Sequence, residues 1–427
     1  MTENGCPYLA AMSASAAVTE APDAAASAAE SARRAAHDFD PVPPEPETFT
    51  SAHEEFAQLR RERPVVRSQA YDGFWALLGY DEVLSVITDI DRFTTTKQNA
   101  VPKFAFTGVR PPLHLDPPEH TAYRRVINRA FTPPRMRTLE PAVRRAAVEL
   151  LDPLIDAGWG DVCAQYAHRF PAYVFAEFFN LDVDTSELIK SVTGTYVDAI
   201  QVLDHEVVRS LSARLYEIAQ SIIDDRRLGG YDPETDLTAA LIEAEHDGAP
   251  LPDAMVLGCV RQLIVTGMVA PSVFIGNMFV HLSRDPALQE HLRANPGDIP
   301  AAVEEFLRLY SPYRGMARTA RVDVEVGGQL IRKDDPVALV YTSANRDERV
   351  FPDGDAFRLH RPNIARHLSF GRGTHSCPGA PLARMMMTIT LEEVLARSAG
   401  FSSAGEPEMA IWAEWGTRSV PLDFVRA

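Results

Sequence analysis

Apolar positions in this chain change period several times, and each change predicts an element. Ser51–Arg63 has the three- and four-residue recurrence of an amphipathic helix. Val65–Arg67 and Phe74–Leu78 are short apolar runs on either side of Tyr71-Asp72-Gly73, a strand pair around a turn. Tyr80–Thr88 reads as a short helix. Thr94–Pro112 mixes Pro and Gly with no period and is predicted to be a long loop; such loops inside a packed domain are often functional. From Thr121 to Leu282 helical spacing dominates. Helices are predicted at Thr121–Phe131, Pro134–Ala157, Ala164–Phe179, Ser186–Gln201, His205–Arg227, Asp236–His246 and Pro252–Ser283. Strands return at Asp323–Val326 and Pro336–Tyr341, and a last helix spans Ala380–Arg397.

The first forty residues differ from the rest. Ala10–Ala36 is rich in Ala and Ser, has no aromatic residue, and has no apolar run long enough for a membrane anchor. A secretory leader would need a basic start and an apolar stretch, and neither is present. Residues 1–40 are therefore expected to be a mobile tail, closed by the Pro-rich stretch Pro41–Pro46, with the folded part running from 41 to 427. A soluble protein without a membrane anchor is expected.

Composition narrows the class. The chain is 46% hydrophobic and 24% charged, ordinary for a globular protein. A net charge of −17 argues against nucleic acid and anionic membrane as general partners. The four cysteines, Cys6, Cys163, Cys259 and Cys377, form no CxxC pair, so a disulfide framework and a zinc site are unlikely and a reducing cytoplasm is the natural setting.

One cysteine stands apart. Phe370-Gly371-Arg-Gly373-Thr-His375-Ser-Cys377-Pro-Gly379 places it in a frame of glycines that runs into the last helix. Glycines let backbone pass close to a flat group, and amide N–H groups at a helix start favour a thiolate. A lone Cys is more often a small buried hydrophobe, but the complete frame resembles the haem-ligand loop of the cytochromes P450. The resemblance covers most of the chain from about residue 45. Glu305-Phe-Leu-Arg308 matches the family's Glu-x-x-Arg, followed by Ser311–Arg318 and Val322–Gly328 where the family has a strand pair. Ala344–Glu348 and Phe351–Asp353 fit the approach to the ligand loop. His114–His120 and Tyr123–Arg125 fit a helix at the haem edge.

The resemblance implies a mainly α fold with a small β-rich lobe, a triangular prism of helices around one buried haem b. It implies Cys377 as the iron ligand, with Phe370, Gly371 and Gly379 against the haem. His120, Arg124, Arg318 and His375 fall where the family binds the haem propionates. Arg suits that task because its fork matches a carboxylate. Glu305 and Arg308 are expected to be structural. The implied activity is a haem-thiolate monooxygenase that inserts one oxygen atom into a small molecule. The chain ends soon after the ligand loop, so electrons are expected from a ferredoxin and its reductase. Arg124, Arg125, Arg129 and Arg135 form a basic patch that could receive them. A monomer is expected.

The pattern fails in one place. The helix crossing above the haem usually carries an acid followed by Thr, which handle protons for oxygen activation. Here the stretch is Thr266-Gly-Met-Val-Ala-Pro-Ser272, and counting back from Glu305 without a gap puts Val269 at the acid and Ala270 at the Thr. Neither can relay a proton. Pro271 removes a backbone N–H and is expected to kink the helix or free a carbonyl near Gly267, which could hold a water. Ser272 is expected to face away. Four readings stay open: a monooxygenase fed protons by water or substrate, a peroxide-dependent enzyme, a non-oxygenating isomerase or dehydratase, and a non-catalytic haem sensor. Phe104, Phe106, Val202, Leu203, Val265, Val269, Tyr313, Met316 and Trp412 fall at family substrate-contact regions. Their apolar character suggests a compact terpenoid or simple aromatic substrate.

Overall fold

The computed structural model describes residues 39–43, 45–103 and 107–427. The expected tail (save its last residues, Phe39 and Asp40), and the candidate pocket residues Phe104 and Phe106, lie outside the described residues. In chain order the helices are α1 Ser51–Glu62, α2 Tyr80–Thr88, α3 Glu119–Arg129, α4 Pro133–Ala157, α5 Phe170–Phe179, α6 Val183–Gln201 and α7 His205–Arg227. They continue with α8 Leu237–Ile242, α9 Asp253–Ser283, α10 Pro286–Ala294, α11 Ile299–Leu309, α12 Tyr341–Ala344 and α13 Ala380–Arg397.

Helix α9 organises the helical part. It spans 31 residues and is apolar on every side, the mark of a helix surrounded by protein. It packs against α5, α6 and α7. Among the described residues it is also long and apolar enough to cross a membrane, but most of its apolar window is buried inside the fold. Helix α13 packs along α4 and α11 and carries the chain away from the cysteine loop.

The β-rich lobe is a five-stranded sheet. Its strands are β1 Val65–Ser68, β2 Phe74–Leu77, β3 Phe93–Thr94, β5 Met316–Ala320 and β6 Pro336–Leu339, β4 (Trp159–Asp161) lying elsewhere. The order is β1-β2-β6-β5-β3, with β6 parallel to β2 and the other neighbours antiparallel. Val65, Leu77, Val83, Val337 and Leu339 form this lobe's own apolar core beside α2. A second sheet joins β4 to β7 Ser398–Ser403 and β8 Pro421–Arg426 in the order β7-β8-β4. The mainly α fold with a small β lobe is the one expected.

The structure alters several predicted boundaries. Ala164–Phe179 is not one helix: a π turn covers Cys163–Ala167, and α5 restarts at Phe170 with Pro171 in its first turn. Asp236–His246 ends early at Ile242, and Glu245–His246 instead pairs with Ala249–Pro250 around Asp247-Gly248. Helix α10 had no predicted counterpart, although Asp285 caps its N-terminus by accepting from the Leu288 amide at 2.9 Å. Strand β5 carries Arg318 as the family resemblance implied, whereas the C-terminal strands β7 and β8 had no predicted counterpart.

Candidate active site

The cysteine loop is folded tightly on itself. The Cys377 amide donates to the Phe370 carbonyl at 2.8 Å. Gly371 and Gly373 adopt φ of 65° and 71°, which side chains other than glycine's rarely reach. Gly379 is different: a Cβ there would meet the Cys377 Sγ at 3.8 Å and the Phe131 ring at 3.7 Å, ordinary contacts. Protein atoms alone do not demand glycine at that position, whereas a flat group against the sulfur would. The Cys377 side chain keeps accessible surface although it lies deep in the fold, as on the wall of a recess. Burial pushes its thiol up, opposed by the Gly379 and Ala380 amides and by the Arg124 and Arg384 charges. Arg384 lies over the Phe370 ring, 4.7 Å from its centroid.

Buried polar groups hold this loop in place. Glu305 and Arg308 form the expected pair, with two bonds of 2.7 and 2.9 Å, and both are almost fully buried. A third member, Arg361, approaches the same carboxylate at 3.0 Å. The two guanidinium groups then spend their other donors on carbonyls at Asn345, Pro352, Asp353, Gly354 and Ala356. Asn345 Oδ1 accepts from the Leu368 amide at 2.6 Å, and the Ser369 hydroxyl donates to the Leu307 carbonyl at 2.6 Å. The start of the cysteine loop is thereby fixed to α11. Glu304 adds a second anchor through His367 and Arg384; burial raises its carboxyl, but these two partners win and hold it down at about 2.

The four residues matched to propionate binding come together. The rings of His120 and His375 are 4.6 Å apart, centroid to centroid. Arg124 donates to the Ser376 carbonyl and lies beside Cys377. Arg318 is buried, has a hydrogen bond of 2.9 Å to the Ala317 carbonyl, and has no ion-pair partner among the described residues. His120 Nε2 is buried with no hydrogen-bond partner. Burial, then the charges of His375 and Arg124, lower His120 to about 4. An unpaired buried cation and an orphaned ring nitrogen are costly unless an anion is supplied, so this cluster fits the carboxylates of a haem. Asp116, which lies 3.9 Å from His375 Nε2, belongs to the cluster as well.

Helix α9 passes unbroken through Pro271. Thr266, Gly267, Val269, Ala270 and Pro271 keep accessible surface, while residues on both sides are buried. No side-chain acid or alcohol stands at 269 or 270. The Thr266 hydroxyl, one turn before Ala270, is bonded to the Gln262 carbonyl at 3.1 Å. The polar partner at the proline is an unpredicted one. Lys190 of α6 reaches the Met268 carbonyl at 2.5 Å and the Ser272 hydroxyl at 2.7 Å. Burial lowers Lys190 to about 8, against the raising influence of Glu414 and Asp198. Ser272 is thus turned to α6, as its two-residue offset from Ala270 implied. Glu414 is buried in the C-terminal turn and bridged to Tyr313. Burial pushes Glu414 up to about 7, with the Arg418 and Lys190 charges opposing.

The expected pocket residues scatter. Val265 and Val269 lie on α9. Tyr313 sits where Cys377 and Glu414 both influence it, and burial raises its phenol. Met316 opens β5 and bridges Ala100. Val202 is 55% exposed at the end of α6, next to exposed Leu203. Trp412 is a core residue rather than a pocket wall: it is 1% exposed, packs on Phe39 and Phe74, and donates to the Val101 carbonyl at 3.1 Å. Lys190, Arg361 and Glu414 were not singled out from the sequence because each acts on groups remote in the chain.

This geometry fits a haem-thiolate site, and comparison with known proteins places the chain in a family. The Cytochrome P450 family model matches residues 299–400. Cytochrome P450 109 of Bacillus spizizenii is 31% identical, over 83% of this chain and 86% of that protein. Linalool 8-monooxygenase of Pseudomonas putida is 31% identical, over 81% and 89%. Erythromycin C-12 hydroxylase of Saccharopolyspora erythraea is 33% identical, over 85% and 92%. Among solved structures, cytochrome P450 CYP109Q5 from Chondromyces apiculatus superposes with a TM-score of 0.80 at 29% identity, covering 91% of this chain and 98% of that one. The chain belongs to the cytochrome P450 family, its cofactor is haem, and it is a P450 monooxygenase.

Proposed function

We propose that this enzyme is a ferredoxin-fed cytoplasmic monooxygenase, a single haem domain from 41 to 427, that oxidises a compact molecule with an apolar body. Cys377 is assigned as the iron ligand and His120, Arg124, Arg318 and His375 as the propionate clamp. The observation that carries the assignment is the buried cluster beside an accessible Cys377, in which, among the described residues, Arg318 has no ion-pair partner and His120 Nε2 has no hydrogen-bond partner. When bound, the haem supplies oxygen activation and hydrogen abstraction. The amides of Gly379 and Ala380 help hold the sulfur anionic, and Phe370 covers the loop side. Arg125 and Arg129 are exposed on α3, whose Arg124 touches the cysteine loop, a suitable face for an acidic ferredoxin.

Val269 and Ala270 leave oxygen without the usual proton donors, so protons are assigned to water or to the substrate. Val265 and Val269 favour an apolar substrate body, and one relative is named for the terpenoid linalool. The test of the haem assignment is the carbon monoxide complex of reduced protein, parent against Cys377→Ala. The parent should show the red-shifted absorption of thiolate ligation and the variant should lose it; retention in the variant would overturn the ligand assignment. Turnover with ferredoxin and reductase against turnover with peroxide separates the monooxygenase reading from a peroxide-dependent one.

A further inference from the structure

Two arginines are buried on the α9 side with no acid to meet them among the described residues. Arg261 of α9 is 0% exposed and Arg110, in the loop before α3, is 4% exposed. Neither has an ion-pair partner among the described residues, and Arg261 Nε, Arg261 Nη1 and Arg110 Nε have no hydrogen-bond partner. The contacts they do make are weak or non-ionic. Arg261 Nη2 reaches the Ser212 hydroxyl at 3.4 Å, and its guanidinium carbon lies 5.0 and 5.7 Å from the ring centroids of Tyr196 and Tyr216. Arg110 Nη2 lies 3.3 Å from His114 Nε2. The segments that carry them are in contact at two points. Thr107 bonds Ser212 at 2.7 Å, and at Gly258 of α9 a Cβ would sit 2.1 Å from the Val109 carbonyl. A cavity of about 190 Å³ is lined by Arg110 and His114 together with Lys97 and Lys103 and by no carboxylate; Arg261 lies behind Arg110 and not on its wall.

Burying an unpaired guanidinium is a large cost to folding, and two that share one neighbourhood repel. Burial first, then Arg110 and Arg261, lowers His114 to about 4, so this neighbour withdraws its own charge. Such an arrangement is retained most economically where an anion arrives from outside, and a guanidinium fork matches a carboxylate.

We propose that Arg110 and Arg261 bind the carboxylate of the substrate, making it an organic acid with an apolar body. This rests on the monooxygenase reading and narrows its substrate class. Arg261, Val265 and Val269 follow each other at four-residue spacing along one ridge of α9. The eight residues from Arg261 to Val269 span roughly 12 Å of helix. An aromatic or terpenoid acid anchored at Arg261 would lie along the two valines and present its far end at Ala270. Oxidation is therefore assigned to the end remote from the carboxylate.

The test uses the haem-loaded enzyme and paired probes: 4-isopropylbenzoate and perillate, each against its primary amide, followed by spectral titration and by calorimetry. The parent should bind each acid at least roughly 30-fold more tightly than its amide, as for a hydrogen bond to a charged group. Arg261→Met and Arg110→Met should remove that preference while leaving amide affinity within about threefold and the carbon monoxide spectrum unchanged. Arg261→Met should also raise the melting temperature of the ligand-free protein, because it deletes an uncompensated charge. Equal affinity for acid and amide in the parent, across these and a longer fatty-acid pair, overturns the proposal. So does a variant that keeps the preference. If Arg110→Met lowers haem content and leaves the acid preference intact, that arginine serves the cofactor instead. A parent without the thiolate spectrum would sink the haem reading itself, a separate outcome.

Discussion

The cysteine side and the α9 side of this site are built on opposite plans. On the cysteine side the buried charges that anchor the loop are answered. Glu305 meets Arg308 and Arg361, Glu304 meets His367 and Arg384, and spare donors end on carbonyls. On the α9 side Arg110 and Arg261 have no acidic partner among the described residues, burial pushes the Glu414 carboxyl up to about 7, and Lys190 caps a helix carbonyl rather than a carboxylate. A paired network gives rigidity. An unpaired one is strained until a ligand or a proton completes it. The contrast implies that stability is concentrated on the cysteine side and, on the carboxylate proposal, selectivity on the α9 side.

The largest expected effect lies on the paired side. Glu305→Gln leaves Arg308 and Arg361 buried without their acid, and should cost about 3–5 kcal/mol, seen as a lower denaturation midpoint and reduced haem content. Retained stability would mean that the carbonyls alone hold the meander. Next is the acid limb. Glu304 has its folded pKa lowered from 4.5 to about 2, so the stability it contributes is complete above 4.5 and is lost as pH falls toward 2. Glu304→Gln should flatten that part of a stability–pH profile.

The unpaired side should behave with the reverse sign. Glu414 has its folded pKa raised from 4.5 to about 7, so the folded protein binds the extra proton and stability falls as pH rises from 4.5 to 7. Glu414→Gln should remove that decline, a gain of about 1–3 kcal/mol at pH 8, measured by denaturant titration at several pH values. A decline that persists would place the titrating group elsewhere. The smallest stability effect is expected from Ala270→Thr, where the readout is chemical. The variant should raise the product formed per electron consumed, and unchanged peroxide release would show that proton delivery does not depend on this position.

The sequence made the two halves legible to different degrees. Cys377, its glycines and Glu305-x-x-Arg308 lie in short segments whose residue types state their chemistry, so the cysteine loop and its anchor could be placed before the fold was known. His120, Arg124, Arg318 and His375 were legible only as a register against a family. Arg361 was not, because it joins Glu305 from a stretch with no period of its own. Lys190, Glu414, Arg110 and Arg261 were not either: each reads as an ordinary surface charge, and only the packing of α6, α7, α9 and the C-terminal turn removes it from water. Trp412 went astray for the same reason, since an aromatic residue in a turn looks the same whether it faces a ligand or, as here, Phe39 and Phe74.

Gly258 has a consequence beyond its own position. The carbonyl of Val109 rests where any side chain would have to be, so the loop and the helix touch main chain to main chain. The spacing of the two chain segments that carry Arg110 and Arg261 is then set by main-chain contact. A methyl placed at residue 258 would force loop and helix apart, and so change how the two arginines are presented without altering either of them.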